Sequence, residues 1–91
     1  MSALSATTVP RLAPKARLQW DDVRARHVLL YPEGLVALNE TAAEILRLCD
    51  GDHAVRQIIA ALKLRYRADG IERDVTALLE GLAVKGLVTW Y

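Results

Sequence analysis

The chain has no phenylalanine, a single cysteine, two histidines and three prolines, and it carries no excess of either charge. Each shortage excludes something. One cysteine, Cys49, cannot close an internal disulfide, which fits a reducing, cytoplasmic setting. His27, Cys49 and His53 are the soft metal ligands available, and a closed zinc site uses four. Cys49 and His53 share a C-x₃-H spacing, but Asp50-Gly51-Asp52 between them reads as a helix stop and a fresh cap. No apolar run approaches the roughly 18 residues of a membrane span, and the first residues lack the basic and apolar regions of a signal peptide.

The charge balance is equally informative. Twelve basic and 11 acidic residues give a net charge of +1, spread evenly along the chain. That is not the basic footprint of a nucleic-acid binder. The five glycines, 34, 51, 70, 81 and 86, mostly punctuate element ends and form no phosphate-cradling loop. Ser2 and Ser5 lie in the N-terminal stretch, away from any histidine and acid. Cys49 sits on an apolar helical stripe, so it reads as a buried, inert thiol. Asp21-Asp22 are neighbours whose side chains point apart in a strand. No cofactor or catalytic constellation emerges, and the chain is expected not to be an enzyme.

What the sequence does contain is patterned. Its 91 residues allow one domain that buries roughly 60–65% of its unfolded surface, with no room for a core and a deep cavity together. Residues 1–14, rich in Ser, Thr, Ala and Pro, read as a flexible tail and 15–91 as the domain. Residues 16–22 alternate as a short strand. His27-Val28-Leu29-Leu30-Tyr31 and Leu35-Val36-Ala37-Leu38 flank Pro32-Glu33-Gly34, a hairpin with a three-residue turn.

The period then changes. Ala42, Ile45, Leu46 and Cys49 recur at helical spacing after Asn39 or Thr41, either of which can cap; Thr41-Ala42-Ala43-Glu44 fits a capping box. Val55, Ile58, Ile59, Leu62 and Tyr66 make a second stripe, with Asp52 as its expected cap. Ile71, Val75, Leu78, Leu79 and Leu82 make a third, opened by Asp69-Gly70-Ile71-Glu72 and closed by Gly86. Residues 87–91 read as a last short strand. The expected class is α+β: a small winged-helix-like domain with an N-terminal two- or three-stranded antiparallel sheet followed by three helices.

Two surface features bear on function. Lys63, Arg65 and Arg67 cluster at the end of the second helix, where the helix dipole favours cations. Leu35-Val36-Ala37-Leu38 carries no charge and no proline. A sheet this small must leave an edge, and an uncharged edge is a template for another chain. Alternation aims only every second donor outward, and Val36 and Ala37 are equally eligible from sequence.

Three segments, Arg17-Leu18-Gln19-Trp20-Asp21-Asp22-Val23-Arg24, Val28-Leu29-Leu30-Tyr31-Pro32-Glu33-Gly34 with Leu38-Asn39, and Ala42-Ala43-Glu44-Ile45-Leu46-Arg47-Leu48-Cys49-Asp50-Gly51, are joined by a fourth. It comprises Asp74-Val75, Leu78-Leu79, Leu82 and Lys85-Gly86-Leu87. Together, over about residues 10–88, they resemble the pyrroloquinoline quinone biosynthesis protein D family. The resemblance implies a chaperone that binds a ribosomal precursor peptide by strand addition. It also implies delivery of that peptide to a radical S-adenosylmethionine enzyme, which cross-links a Glu and a Tyr within it. The peptide would lie along Leu35, Val36, Ala37, Leu38 and Asn39 and against the exposed side of the third helix, at Arg73, Asp74, Ala77, Leu78 and Gly81. A monomer or weak homodimer is expected, with no membrane and no nucleic acid. The competing reading is a winged-helix nucleic-acid binder; Glu72, Asp74 and Glu80 on the third helix would face phosphates and argue against it.

Overall fold

A computed structural model describes residues 4–90. Strands β2 (Arg17–Asp21), β3 (Arg26–Tyr31) and β4 (Gly34–Leu38) form an antiparallel sheet in the order β2-β3-β4, so β2 and β4 are its edges. Three helices follow: α1 (Glu40–Arg47), α2 (Val55–Arg65) and α3 (Ile71–Val84). A second, two-stranded sheet pairs β1 (Arg11–Leu12) with β5 (Val88–Thr89). The class is α+β, with the three-stranded sheet placed before the helices.

Period decides what is buried. The face of the sheet carrying Leu18, Leu29, Val36 and Leu38 meets the helices. Ile45, Leu46 and Cys49 lead from α1; Val55, Ile58 and Leu62 complete α2's stripe, and Ile71, Val75, Leu79 and Leu82 that of α3. Ala42, expected on the α1 stripe, is only half-buried; Ala43 takes the buried place beside it.

Several local readings are corrected. The hairpin turn has two residues, Pro32 and Glu33, because Gly34 already pairs with Tyr31. Asn39, not Thr41, caps α1: its Oδ1 accepts the Ala42 N–H at 2.8 Å. Asp52 does not cap α2. The Asp50 carboxylate instead turns the chain by accepting the Asp52 N–H at 2.9 Å, and α2 starts from Ala54, whose N–H reaches Gln57 Oε1 at 2.7 Å. The cap of α3 is Gly70 in the left-handed conformation rather than Asp69. Gly86 does end α3 as expected. Its N–H bonds to Ala83 O and that of Leu87 to Leu82 O, the paired bonds of a left-handed helix stop.

The reading of residues 1–14 as a tail misses a packed segment. Met1, Ser2 and Ala3 lie outside the described residues. From Ser5 onward the chain lies against the helices, with Thr8 and Ala13 buried and Pro10 fully so. The N–H groups of Val55 and Arg56, orphans at the start of α2, bond to Thr8 O (2.8 Å) and Ala6 O (3.0 Å). Composition misled because these bonds are made by carbonyls, which every residue type carries.

Candidate functional site

The free edge of β4 can be resolved bond by bond. Tyr31 and Gly34 flank a two-residue turn and must be a mutually hydrogen-bonded pair. Bonded and non-bonded pairs alternate from there: Leu29–Val36 and His27–Leu38 are bonded, whereas Leu30–Leu35 and Val28–Ala37 are not. The N–H and C=O groups of Leu35 and Ala37 therefore point away from β3, into the open side. That settles the choice left open between Val36 and Ala37: Ala37 is outward, and Val36 is bonded inside the sheet. The opposite edge, β2, carries Arg17 and Asp21, whereas β4 carries no charge to blunt it.

Where β4 ends, a groove begins. It encloses about 310 Å³ between α1 and α3 and is lined by Asn39, Thr41, Ala42, Ile45, Asp74, Ala77 and Leu78. Its floor is apolar, from Ala42, Ile45, Ala77 and Leu78, and its polar groups are those of Asn39, Thr41 and Asp74. Asn39 belongs to both features, since it follows the last residue of β4 and caps α1. The three uncharged residues of α1 lacked a signal of their own: Ala42 and Ile45 read as core, and Thr41 as a cap.

Of the residues expected to meet a peptide, the structure brings Asn39, Asp74, Ala77 and Leu78 into this groove. Leu35 and Ala37 are exposed on the strand and Val36 is half-buried, while Leu38 is buried in the core. Arg73 and Gly81 are exposed on α3 and do not line the groove.

A second hollow, about 350 Å³, lies at the same end of the sheet, among Trp20, Arg24, Arg26, His27, Leu38, Asn39 and Glu40, and shares Asn39 with the groove. Its charges are already engaged. Arg24 holds Asp21 at 2.6 Å, which keeps that carboxyl below its usual range, and His27 stands 3.5 Å from Glu40 with its ring edge-on to Trp20.

The chemistry-bearing residues stay apart. Cys49 is buried with its thiol on Ile45 O at 3.4 Å, and burial pushes its pKa up to about 12. His53 bonds the Asp50 carboxylate at 3.0 Å instead of approaching Cys49, and this holds Asp50 below its ordinary value. Among the described residues no three His, Cys, Asp or Glu side chains converge as a metal site would need, and no helix is long and apolar enough to cross a membrane.

Comparison with known proteins places this geometry. Residues 26–88 match the family described as coenzyme PQQ synthesis protein D, PqqD. The chain is 45% identical over 86 residues to the PqqA binding protein of Methylococcus capsulatus, spanning 94% of this chain and 92% of that protein. It is 49% identical over 89 residues to the PqqA binding protein of Rhodopseudomonas palustris strain TIE-1, spanning 96% and 87%. Among solved structures, the PqqD truncation of Methylobacterium extorquens PqqCD, studied by solution NMR, matches with a TM-score of 0.81 and 43% identity over 96% of this chain and 95% of that one. It is described as a functional and stand-alone recognition element for ribosomally synthesized, post-translationally modified peptides. The heterocyclase TruD matches with a TM-score of 0.65 at 22% identity, over 92% of this chain and 12% of that one, a likeness of fold alone.

Proposed function

The chain belongs to the PqqD family, and from that premise we propose that it binds a ribosomal precursor peptide of the PqqA kind. The peptide adds as a strand to β4, and the chain then presents it to a radical S-adenosylmethionine enzyme. The observation that carries the strand addition is the uncharged β4 edge, with the donors of Leu35 and Ala37 aimed outward and the α1–α3 groove opening beside it. Main-chain bonds give such a complex its affinity, and pockets for alternate side chains give it specificity. The relatives named as PqqA binding proteins and the stand-alone recognition element support a binding role for this chain, with the chemistry assigned to the partner enzyme. Family resemblance supports that partner and a cytoplasmic setting, where ribosomal peptides are made.

Hydrogen exchange read by amide NMR tests the proposal. On saturation with synthetic precursor peptide, the Leu35 and Ala37 amides become protected, whereas Val36, already bonded to Leu29, changes little. Shifts concentrate at Asn39, Ala42, Ala77 and Leu78. Unchanged exchange at Leu35 and Ala37 in a saturated complex overturns strand addition. A nucleic-acid role is not favoured, because α3 exposes Glu72, Asp74 and Glu80 alongside Arg73 and Lys85.

A further inference from the structure

A strand laid on β4 places alternate side chains on the two faces of the extended sheet. Those opposite Val36 and Leu38, two residues apart on the incoming chain, come down on the helix side, beside the groove. The small side chains of Ala42 and Ala77 leave the groove floor open between Ile45 and Leu78, and that space suits a bulky apolar side chain. One lining residue is charged. Asp74 is exposed and makes no ion pair among the described residues. Other acids nearby are taken: Glu72 by Lys63 at 3.0 Å, and Glu44 by Arg47 at 3.0 Å and Arg65 at 3.1 Å.

A bound strand would strip water from Asp74, and an unpaired carboxylate resists that. We infer that Asp74 is a specificity determinant: it requires a basic side chain on the bound strand, two residues from the apolar side chain that fills the groove. The same carboxylate rejects an acidic residue at that place. This inference rests on the strand-addition reading above and adds to it the character of the occupant.

The test uses the full chain and the synthetic PqqA precursor peptide, with far-ultraviolet circular dichroism confirming each variant's fold. Asp74→Asn is expected to weaken binding by about fivefold, the upper end for a partly exposed pair. Asp74→Lys is expected to weaken it by about tenfold or more, because repulsion is added to loss. A series of peptides, each with one basic residue replaced by Glu, should then contain one member that binds Asp74→Lys better than it binds the unaltered protein. Ala37→Pro separates the two readings. If Ala37→Pro abolishes binding but Asp74→Lys stays within about twofold of the unaltered protein, or no Glu peptide reverses the preference, strand addition stands and the role of Asp74 falls. If Ala37→Pro also leaves binding intact, strand addition falls and this inference with it.

Discussion

Strand β1 is held on both sides. On one it pairs with β5, Arg11 against Thr89 and Leu12 against Val88. On the other, the Leu12 N–H bonds to Cys49 O at 3.1 Å, and Pro10 O accepts the Gly51 N–H at 3.2 Å. The residues just before it supply Thr8 O and Ala6 O to the first turn of α2. Among the described residues, strand β4 is held on one side only, by β3. Both segments are short and extended, and an extended chain could complete either place by the same main-chain chemistry. In one place the protein's own N-terminal segment has done so. The other has no such cover among the described residues, and it ends beside the apolar groove at Asn39. Burying backbone donors without partners costs free energy, so an edge with no internal cover must stay wet or take a guest.

The contrast is broken most severely within β4 itself. Val36→Pro removes an N–H that bonds to Leu29, leaves that buried carbonyl unpaired, and should cost about 3 kcal/mol or more of stability. Ala37→Pro, one residue along, removes a donor that bonds nothing inside the protein. It should cost less than about 1 kcal/mol while abolishing peptide binding. Urea unfolding of both variants measures the difference. Equal destabilisation would mean that the assigned alternation of inward and outward donors is wrong.

Removing the stretch ahead of β1 is the complementary experiment, and its effect is smaller. A chain beginning at Pro10 lacks the carbonyls of Ala6 and Thr8 and returns the Val55 and Arg56 N–H groups to water. Two net hydrogen bonds give a loss of about 2 kcal/mol. Because α2's N-terminus and the β4 edge are separate sites, peptide affinity at a temperature where the shortened chain is folded should stay within about twofold. A folded truncation that no longer binds would show that the closed and open sides are coupled.

These two sides were unequally legible in the sequence. The β4 edge could be read because its signals are side chains: an unbroken apolar run, Leu35 to Leu38, a Pro-Glu-Gly turn before it and an absence of charge. The three helical stripes were legible for the same reason, and their buried members fall largely where the spacing puts them. The closed side was not. Its interactions run through backbone groups of residues 5–13, whose Ser, Thr, Ala and Pro composition is also that of an unstructured tail. Asp52 and Asp69 looked like caps by type, yet the Asp50 turn and the left-handed Gly70 took those roles through conformations that composition does not encode. The groove fell between the two cases: Asp74, Ala77 and Leu78 came from the family resemblance, whereas Thr41, Ala42 and Ile45 were hidden by their plausible roles as cap and core.

Cys49 reports on whether the closed side stays closed. Its carbonyl takes the Leu12 N–H, and its thiol is buried in the core cluster against which Leu4 and Leu12 of the N-terminal segment pack. Cys49→Ala should cost about 1 kcal/mol at neutral pH, through one lost buried atom and a small cavity, and should leave peptide binding unchanged. The pH dependence has a definite sign. Burial raises the thiol from an ordinary value of 9.0 to about 12, so the folded chain holds its proton where the unfolded chain releases it. The stability this contributes is complete below pH 9 and is lost as pH rises toward 12. Cys49→Ala removes that loss, so the stability gap between the variant and the unaltered chain should narrow steadily above pH 9. Iodoacetamide at pH 8 gives the second readout: labelling of the intact chain should be slow, and faster in the chain beginning at Pro10, where the N-terminal segment opens more often. If the thiol of the intact, folded protein were alkylated as fast as a free cysteine, the segment over it would be open. The two extended regions would then differ in sequence but not in closure.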